Sequence, residues 1–238
     1  MTPWELSKWS VFILLFVTKS VFSQTPFEHQ LMGTSRCEKS DWAGQKKVKA
    51  KVVKVVDGDT VRVETSFGMY SIRMLSIDTP ETKYYGRSQG VWGERAYQHL
   101  QGLLKEGDAV TVELSDEACD RYGRMLGYVW KSRKNMNREM LKASLAVNYC
   151  IYPNIKYCKS FGRITKNNIQ NKKGIYGDPK LELPYDWRRE VMDRLPEKWV
   201  GNIYTQEVYP PEDYRQVPVG ARIFFIHKKD IPENYQIK

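Results

Sequence analysis

Between Lys47 and Leu75 the chain alternates apolar and polar residues three times, and two glycine-containing turns interrupt the alternation. Lys47-Val48-Lys49-Ala50-Lys51-Val52-Val53-Lys54-Val55-Val56 has the period of a half-exposed strand. Asp57-Gly58 closes it, Thr60-Val61-Arg62-Val63-Glu64-Thr65 alternates again, and Phe67-Gly68 leads into Met69–Leu75. An Asp-Gly step between two alternating runs is a strong hairpin signal. The segment is therefore predicted to form a three-stranded antiparallel meander, which excludes an all-helical fold.

After the meander the period becomes helical. Trp92, Ala96, Leu100, Leu103 and Leu104 fall on one face between Ser88 and Lys105, and Gly107 supplies a stop. Ala109–Leu114 and Arg124–Trp130 read as two further strands. Asn137–Leu145 reads as a short helix capped by Asn135 or Asn137, Val147–Ile151 as a short extended piece, and Ile155–Lys173 as a third helix. Gly162 weakens that helix by about 1 kcal/mol relative to alanine. Its cations, Lys156, Lys159, Arg163, Lys166, Lys172 and Lys173, have no acid among them, which suits a solvated face or a stripe for backbone phosphates. Five short strands, a helix after the third and helices at the end form an α+β pattern. It is that of a five-stranded Greek-key barrel of the oligonucleotide-binding type, the OB-fold, with three helices.

The flanks differ in character. Residues 1–23 carry Lys8, the apolar run Val11–Val17 and small or tolerated residues around Val21-Phe22-Ser23, the features of a signal peptide cleaved before Gln24. An uncleaved membrane anchor over residues 9–23 is the alternative. Residues 24–46 are polar and irregular and read as a linker to a domain spanning 47–178. Residues 179–238 form a C-terminal extension rich in Pro and Tyr, of unknown fold. It has one helical stretch, Asp186–Leu195, and one strand-like run, Ala221–Ile226. Export would place Cys37, Cys119, Cys150 and Cys158 in an oxidising compartment as structural disulfides or buried thiols. Four cysteines allow three pairings, and the sequence does not choose among them. No stable membrane association is expected once the signal is removed, and a monomer is expected.

The formal net charge is +10 and the isoelectric point is near 9.3, a balance that points to nucleic acid or an anionic surface as partner. Against that background, two acidic stretches stand out: Asp57-Gly58-Asp59-Thr60 and Ile77-Asp78-Thr79-Pro80-Glu81. A hairpin turn accounts for Asp57 and Gly58 but leaves Asp59 and Thr60 unexplained. The second stretch has a helix-entry alternative, with Thr79 as cap and Pro80 in the first turn, yet the helical pattern begins only near Ser88. Asp59, Asp78 and an oxygen of Thr79 offer the all-oxygen ligands of a hard cation such as calcium, with Glu81 nearby as general base. Arg73 and Arg124 suit the charge that grows on phosphorus during phosphodiester cleavage, with surface ion pairing as the alternative. Arg121, Tyr122 and Tyr149 are candidates for contacting nucleic acid, and packing is the alternative for the two tyrosines.

Three ordered motifs, Asp57-Gly58-Asp59-Thr60, Arg73-Met74-Leu75-Ser76-Ile77-Asp78-Thr79-Pro80-Glu81 and Asp120-Arg121-Tyr122-Gly123-Arg124-Met125-Leu126-Gly127-Tyr128, resemble the staphylococcal nuclease (thermonuclease) family. The resemblance covers about residues 47–178, with Gly174-Ile175-Tyr176-Gly177 like the family's closing segment. It implies an OB-type barrel carrying a Ca2+-dependent endonuclease that cuts DNA and RNA at the 5′-oxygen–phosphorus bond and leaves 3′-phosphates. By motif position, Asp59 and Asp78 resemble the calcium carboxylates, Thr79 the carbonyl ligand, Glu81 the general base, and Arg73 and Arg124 the phosphate-binding pair. Around Asn148–Pro153 the match is approximate, and the loop Lys83–Ser88 differs in composition. Two rival readings are a non-catalytic OB-fold nucleic-acid-binding module, and a membrane-tethered protein whose C-terminal extension docks a partner.

Overall fold

The computed structural model describes residues 33–38, 42 and 44–238, so the expected signal segment lies outside the described residues. The meander forms as the alternation requires: β1 (Lys47–Asp57), β2 (Thr60–Thr65) and β3 (Gly68–Met74) pair antiparallel in sequence order. At the first turn Asp57 is paired with Thr60, and Gly58 N–H donates to Asp57 Oδ1 at 2.7 Å. A side chain at Gly58 would meet Thr79 Oγ1 at 2.7 Å, so its glycine serves close approach of the turn to the second acidic stretch.

Two later strands close the barrel. β5 (Ala109–Cys119) pairs antiparallel with β1 and with β6 (Met125–Lys131), and β6 returns to pair parallel with β3. The result is the five-stranded mixed barrel expected of the OB type. Val52, Val61, Val63, Ile72, Met74, Val112, Met125 and Val129 fill its interior. The expected helices are present as α1 (Val91–Leu103), α2 (Met136–Lys142) and α3 (Cys158–Gln170), with α1 and α3 trimmed at both ends and α2 starting one residue earlier and ending three earlier than expected. Asn135 caps α2, its side chain accepting from Arg138 N–H, and Ala96 and Leu100 seal α1 onto the barrel.

A short strand, β4 (Ser76–Asp78), leaves the barrel immediately after β3. Ser76 adopts a φ of 59°, rare for a residue with a side chain, and this turns Ile77 and Asp78 toward a different partner. That partner is β8 (Val147–Ile151), paired antiparallel with Asp78 opposite Val147. β7 (Lys134–Asn135) is a two-residue addition beside β6.

Residues 179–238 build onto β8. They contribute α4 (Pro184–Val191) and the strands β9 (Trp199–Asn202), β10 (Glu207–Tyr209), β11 (Arg222–Phe225) and β12 (Gln236–Ile237). β11 pairs parallel with β8, giving a second sheet in the order β12-β10-β9-β11-β8-β4. This sheet runs without a break from the far end of the extension to the strand that carries Asp78. The expected helix starts two residues earlier than the sequence implied, with Pro184 in its first turn. Phe224, Tyr185, Tyr214 and Val217 pack into a separate apolar cluster. Gly162 has a purpose that its helix propensity concealed. A side chain there would collide with the carbonyl of Gly220, so its absence lets α3 lie directly against the extension's backbone.

The disulfides, open from the sequence, are Cys37–Cys119 and Cys150–Cys158. The first holds the segment expected as a linker against the end of β5, and Trp42 from the same segment is buried against Phe67 and Tyr70. Among the described residues no helix is long and apolar enough to cross a membrane.

Candidate active site

The acidic site is assembled where β1, β2, β3 and β4 meet. Asp59 leaves the first turn pointing inward: Oδ1 accepts from Thr60 Oγ1 at 3.0 Å and Oδ2 from Thr79 N–H at 3.2 Å. The Asp59 carbonyl accepts Met74 N–H at 2.8 Å, which locks the turn to the end of β3. Asp78, on β4, is 1% exposed, and Thr79 is equally buried. Arg73, on β3, bridges the two acids: one nitrogen, Nη2, lies 3.1 Å from Asp59 Oδ2 and 3.0 Å from Asp78 Oδ1. Its other terminal nitrogen donates to the carbonyls of Met74 and Ile77 at 2.7 and 2.9 Å. Burial pulls the Arg73 guanidinium toward neutrality, but Asp59 and Asp78 outweigh it and hold its pKa above the usual value.

Glu81 follows three residues after Asp78, on irregular backbone. The Thr79-Pro80 step does not open a helix, since α1 begins only at Val91. Instead Glu81 N–H donates to Gln89 Oε1 at 3.1 Å and its carbonyl accepts Gln89 N–H at 2.9 Å, so the loop is pinned at its base. Burial, with repulsion from Asp59 and Asp78, raises the Glu81 pKa against the opposing pull of Arg188. Asp57 belongs to the same acidic group. Burial first, then Glu81 and Asp59, push its carboxyl well above the usual range, so the residue that the sequence explained as a turn former also feels the site.

Arg124 opens β6, held by Asp120: Nε donates to Oδ2 at 2.7 Å, and the Arg124 and Tyr122 N–H groups both donate to Oδ1 at 2.9 Å. Its guanidinium lies 5.6 Å from the Tyr122 ring centre. Burial lowers the Arg124 pKa, Asp120 opposes that, and the like charge of Arg73 lowers it further. Arg121 is exposed and donates to the Tyr122 hydroxyl at 2.6 Å. Of the basic run on α3, Lys156 is ion-paired with buried Glu113. Arg163 and Lys173 line an open cleft of about 430 Å³ with Arg138 and Lys142.

Tyr149 is placed differently from the rest. Its ring lies 4.8 Å from that of Phe224 and 5.8 Å from that of Tyr185, both in the extension and both tilted to it, so the extension packs against it. Burial raises the pKa of its hydroxyl.

Sequence reasoning missed Arg188. From α4, its Nη1 donates to Asp78 Oδ1 at 3.0 Å and to Glu81 Oε1 at 2.7 Å, and its Nη2 donates to Asp78 Oδ2 at 2.6 Å. Burial would lower its pKa, but Asp78 and Glu81 hold it well above the usual value. No spacing rule links Arg188 to a motif more than a hundred residues earlier, so the contact left no signal in the sequence.

The donor set is all oxygen, which suits a hard cation such as calcium and excludes a thiolate- or imidazole-rich site. Among the described residues no three His, Cys, Asp or Glu side chains cluster as a complete metal cage. A cation at Asp59 and Asp78 would therefore complete its shell with the Thr79 carbonyl, water or substrate oxygen. The residues fit such an ion, with one condition: the guanidiniums of Arg73 and Arg188 already engage its carboxylates.

Residues 71–178 match the staphylococcal nuclease homologue family. The thermonuclease of Staphylococcus hyicus is 32% identical over 128 residues, spanning 54% of this chain and 75% of that protein. The chain belongs to the staphylococcal nuclease homologue family. A micrococcal nuclease of Shigella flexneri is 28% identical over 150 residues, 59% of this chain and 80% of that protein. Endonuclease YhcR of Bacillus subtilis is 32% identical over 185 residues, covering 73% of this chain but 15% of that much longer protein. An alignment that long reaches past the barrel into the flanking residues.

Proposed function

We propose that this nuclease-family chain is a calcium-dependent endonuclease that hydrolyses DNA and RNA at the 5′-oxygen–phosphorus bond and leaves 3′-phosphates. The observation that carries the reading is the convergence of Asp59, Asp78, Arg73 and Glu81 at one buried mouth of an OB-type barrel. Asp59, Asp78 and the Thr79 carbonyl would hold calcium, which supplies Lewis-acid neutralisation of a phosphate oxygen.

The chain's own groups account for the rest. Glu81 accepts the proton of the attacking water, and its burial and acidic neighbours raise its pKa in the direction a base needs near neutral pH. Arg73 and Arg124 donate to the non-bridging oxygens, where negative charge accumulates in the transition state. Asp120 fixes the orientation of Arg124 through Nε. Arg121 and Tyr122 form a basic, aromatic rim suited to the strand on either side of the cut.

We infer further that the chain is exported, to a secreted or periplasmic location. Residues 1–23 have the composition of a signal peptide, and both disulfides suit an oxidising compartment.

The test is incubation of the full chain with single-stranded DNA, duplex DNA and RNA, in calcium and in chelator, followed by analysis of product ends. Cleavage in calcium alone, with 3′-phosphate termini, is expected. Binding without cleavage would replace this reading with that of a nucleic-acid-binding module.

A further inference from the structure

Arg188 occupies the two carboxylates that catalysis needs, and it comes from outside the barrel. It engages both oxygens of Asp78 and one of Glu81. Its placement is built rather than incidental. Pro184 and Tyr185 of α4 are buried, Gln89 donates to the Glu182 carbonyl at 2.8 Å, and the β11–β8–β4 sheet ties the extension to the strand bearing Asp78. The Arg188 side chain is 19% exposed and that of Asp78 is 2% exposed, so solvent screens little of their attraction.

Arg73 and Arg188 differ in what holds them. Arg73 keeps two backbone carbonyls, of Met74 and Ile77, whatever happens to the acids. The side-chain hydrogen bonds of Arg188 all end on Asp78 and Glu81. A divalent cation on Asp78 would remove the attraction that holds Arg188 and add repulsion between like charges. Two cations therefore compete for one carboxylate, and the one on the chain is always present at high local concentration.

We propose that Arg188 is a tethered competitor of the divalent cation, setting the calcium concentration at which the catalytic carboxylates load. The inference rests on the calcium reading above. It gives residues 179–238 a role in the reaction: they lower the affinity of the site for its cation, so loading requires Arg188 to swing off Asp78. Because linkage is reciprocal, calcium weakens the hold of Arg188 by the same factor that Arg188 weakens calcium.

The experiment is calorimetric titration of the full chain with calcium alone, without nucleic acid, for wild type, Arg188→Ala and Arg188→Lys. Arg188→Ala is expected to bind calcium at least about tenfold more tightly, with Arg188→Lys in between. Equal or weaker binding by Arg188→Ala overturns the competition and makes Arg188 a residue that orients Asp78. If Arg188→Ala fails to fold, phenylglyoxal labelling of wild type, read by mass spectrometry at Arg188, decides the matter. Calcium should raise modification of Arg188 at least about threefold, and unchanged labelling at saturating calcium overturns the proposal. Calcium binding by wild type with no change in the variant sinks this inference alone, whereas no calcium binding by any protein sinks the calcium reading with it.

Discussion

The barrel and the C-terminal extension reach the same acids by opposite routes. In the barrel, Asp59, Arg73 and Asp78 lie within twenty residues of one another, joined by a hairpin and a kink, so local geometry delivers them. In the extension, Arg188 arrives through a helix seated on a sheet whose strands are drawn from distant parts of the chain. Sites built locally keep their shape when remote parts are altered. A contact built through a long-range sheet can be loosened as a unit, which makes the extension the natural place for control and the barrel the natural place for chemistry.

If that division is right, substitutions in the two regions should fail in different ways. The largest effect belongs to the barrel: Arg124→Ala should lower turnover at least about a hundredfold in steady-state cleavage assays while leaving the fold intact by circular dichroism. Near-normal turnover would remove Arg124 from the chemistry.

Next is the extension's core. Phe224 is 2% exposed and packs on Tyr149 and Tyr185, so Phe224→Ala should cost about 3–5 kcal/mol in denaturant unfolding. The loss should appear first in the extension, as faster amide exchange across β9 and β11 than across β1 and β2. Uniform exchange would mean that the two regions unfold together. A smaller effect is expected of Gly162→Ala, which crowds the Gly220 carbonyl and should cost about 1–3 kcal/mol, against the gain that alanine gives an ordinary helix. Higher stability in the same unfolding assay would show that α3 and the extension do not meet so closely.

The smallest effect is a pH dependence. Burial, a hydrogen bond with Glu190 and that residue's charge raise the Glu182 pKa to about 7 from an ordinary 4.5. The folded state holds this proton more tightly than the unfolded chain does. Its contribution is therefore complete below about pH 4.5 and is lost as pH rises through about 7. Glu182→Gln should thus be slightly more stable than wild type at pH 8, by under about 1 kcal/mol because partial exposure lets solvent screen the site, and should show no such advantage at pH 4. An advantage at pH 4 instead would reverse the sign of the linkage.

The legible parts of the molecule follow the same division. Alternation between Lys47 and Leu75 revealed the meander because alternate apolar residues of each strand are buried in the barrel, and Asp57-Gly58 marked its turn. The three motifs singled out Asp59, Arg73, Asp78, Glu81 and Arg124, and the hairpin and kink that bring Asp59, Arg73 and Asp78 together are local. The disulfide pairing, the departure of β4 to join β8 and the grip of Arg188 were not legible, since each depends on which distant segments meet. Gly162 shows the difficulty in a single residue. By propensity it is a flaw in a helix, and only the facing Gly220 carbonyl explains it. Tyr149 shows the converse: its position in a family-like segment suggested a nucleotide contact, and nothing there signalled that it packs against Phe224 and Tyr185 of the extension.

Whether these barrel residues cut phosphodiesters with Glu81 as base is decided by assaying wild type and Glu81→Gln side by side. Both would act on one end-labelled single-stranded DNA at saturating calcium, and single-turnover rates would be compared. Cleavage by wild type is expected, with a rate at least about a hundredfold lower for folded Glu81→Gln. Equal rates in the two proteins would contradict that role for Glu81.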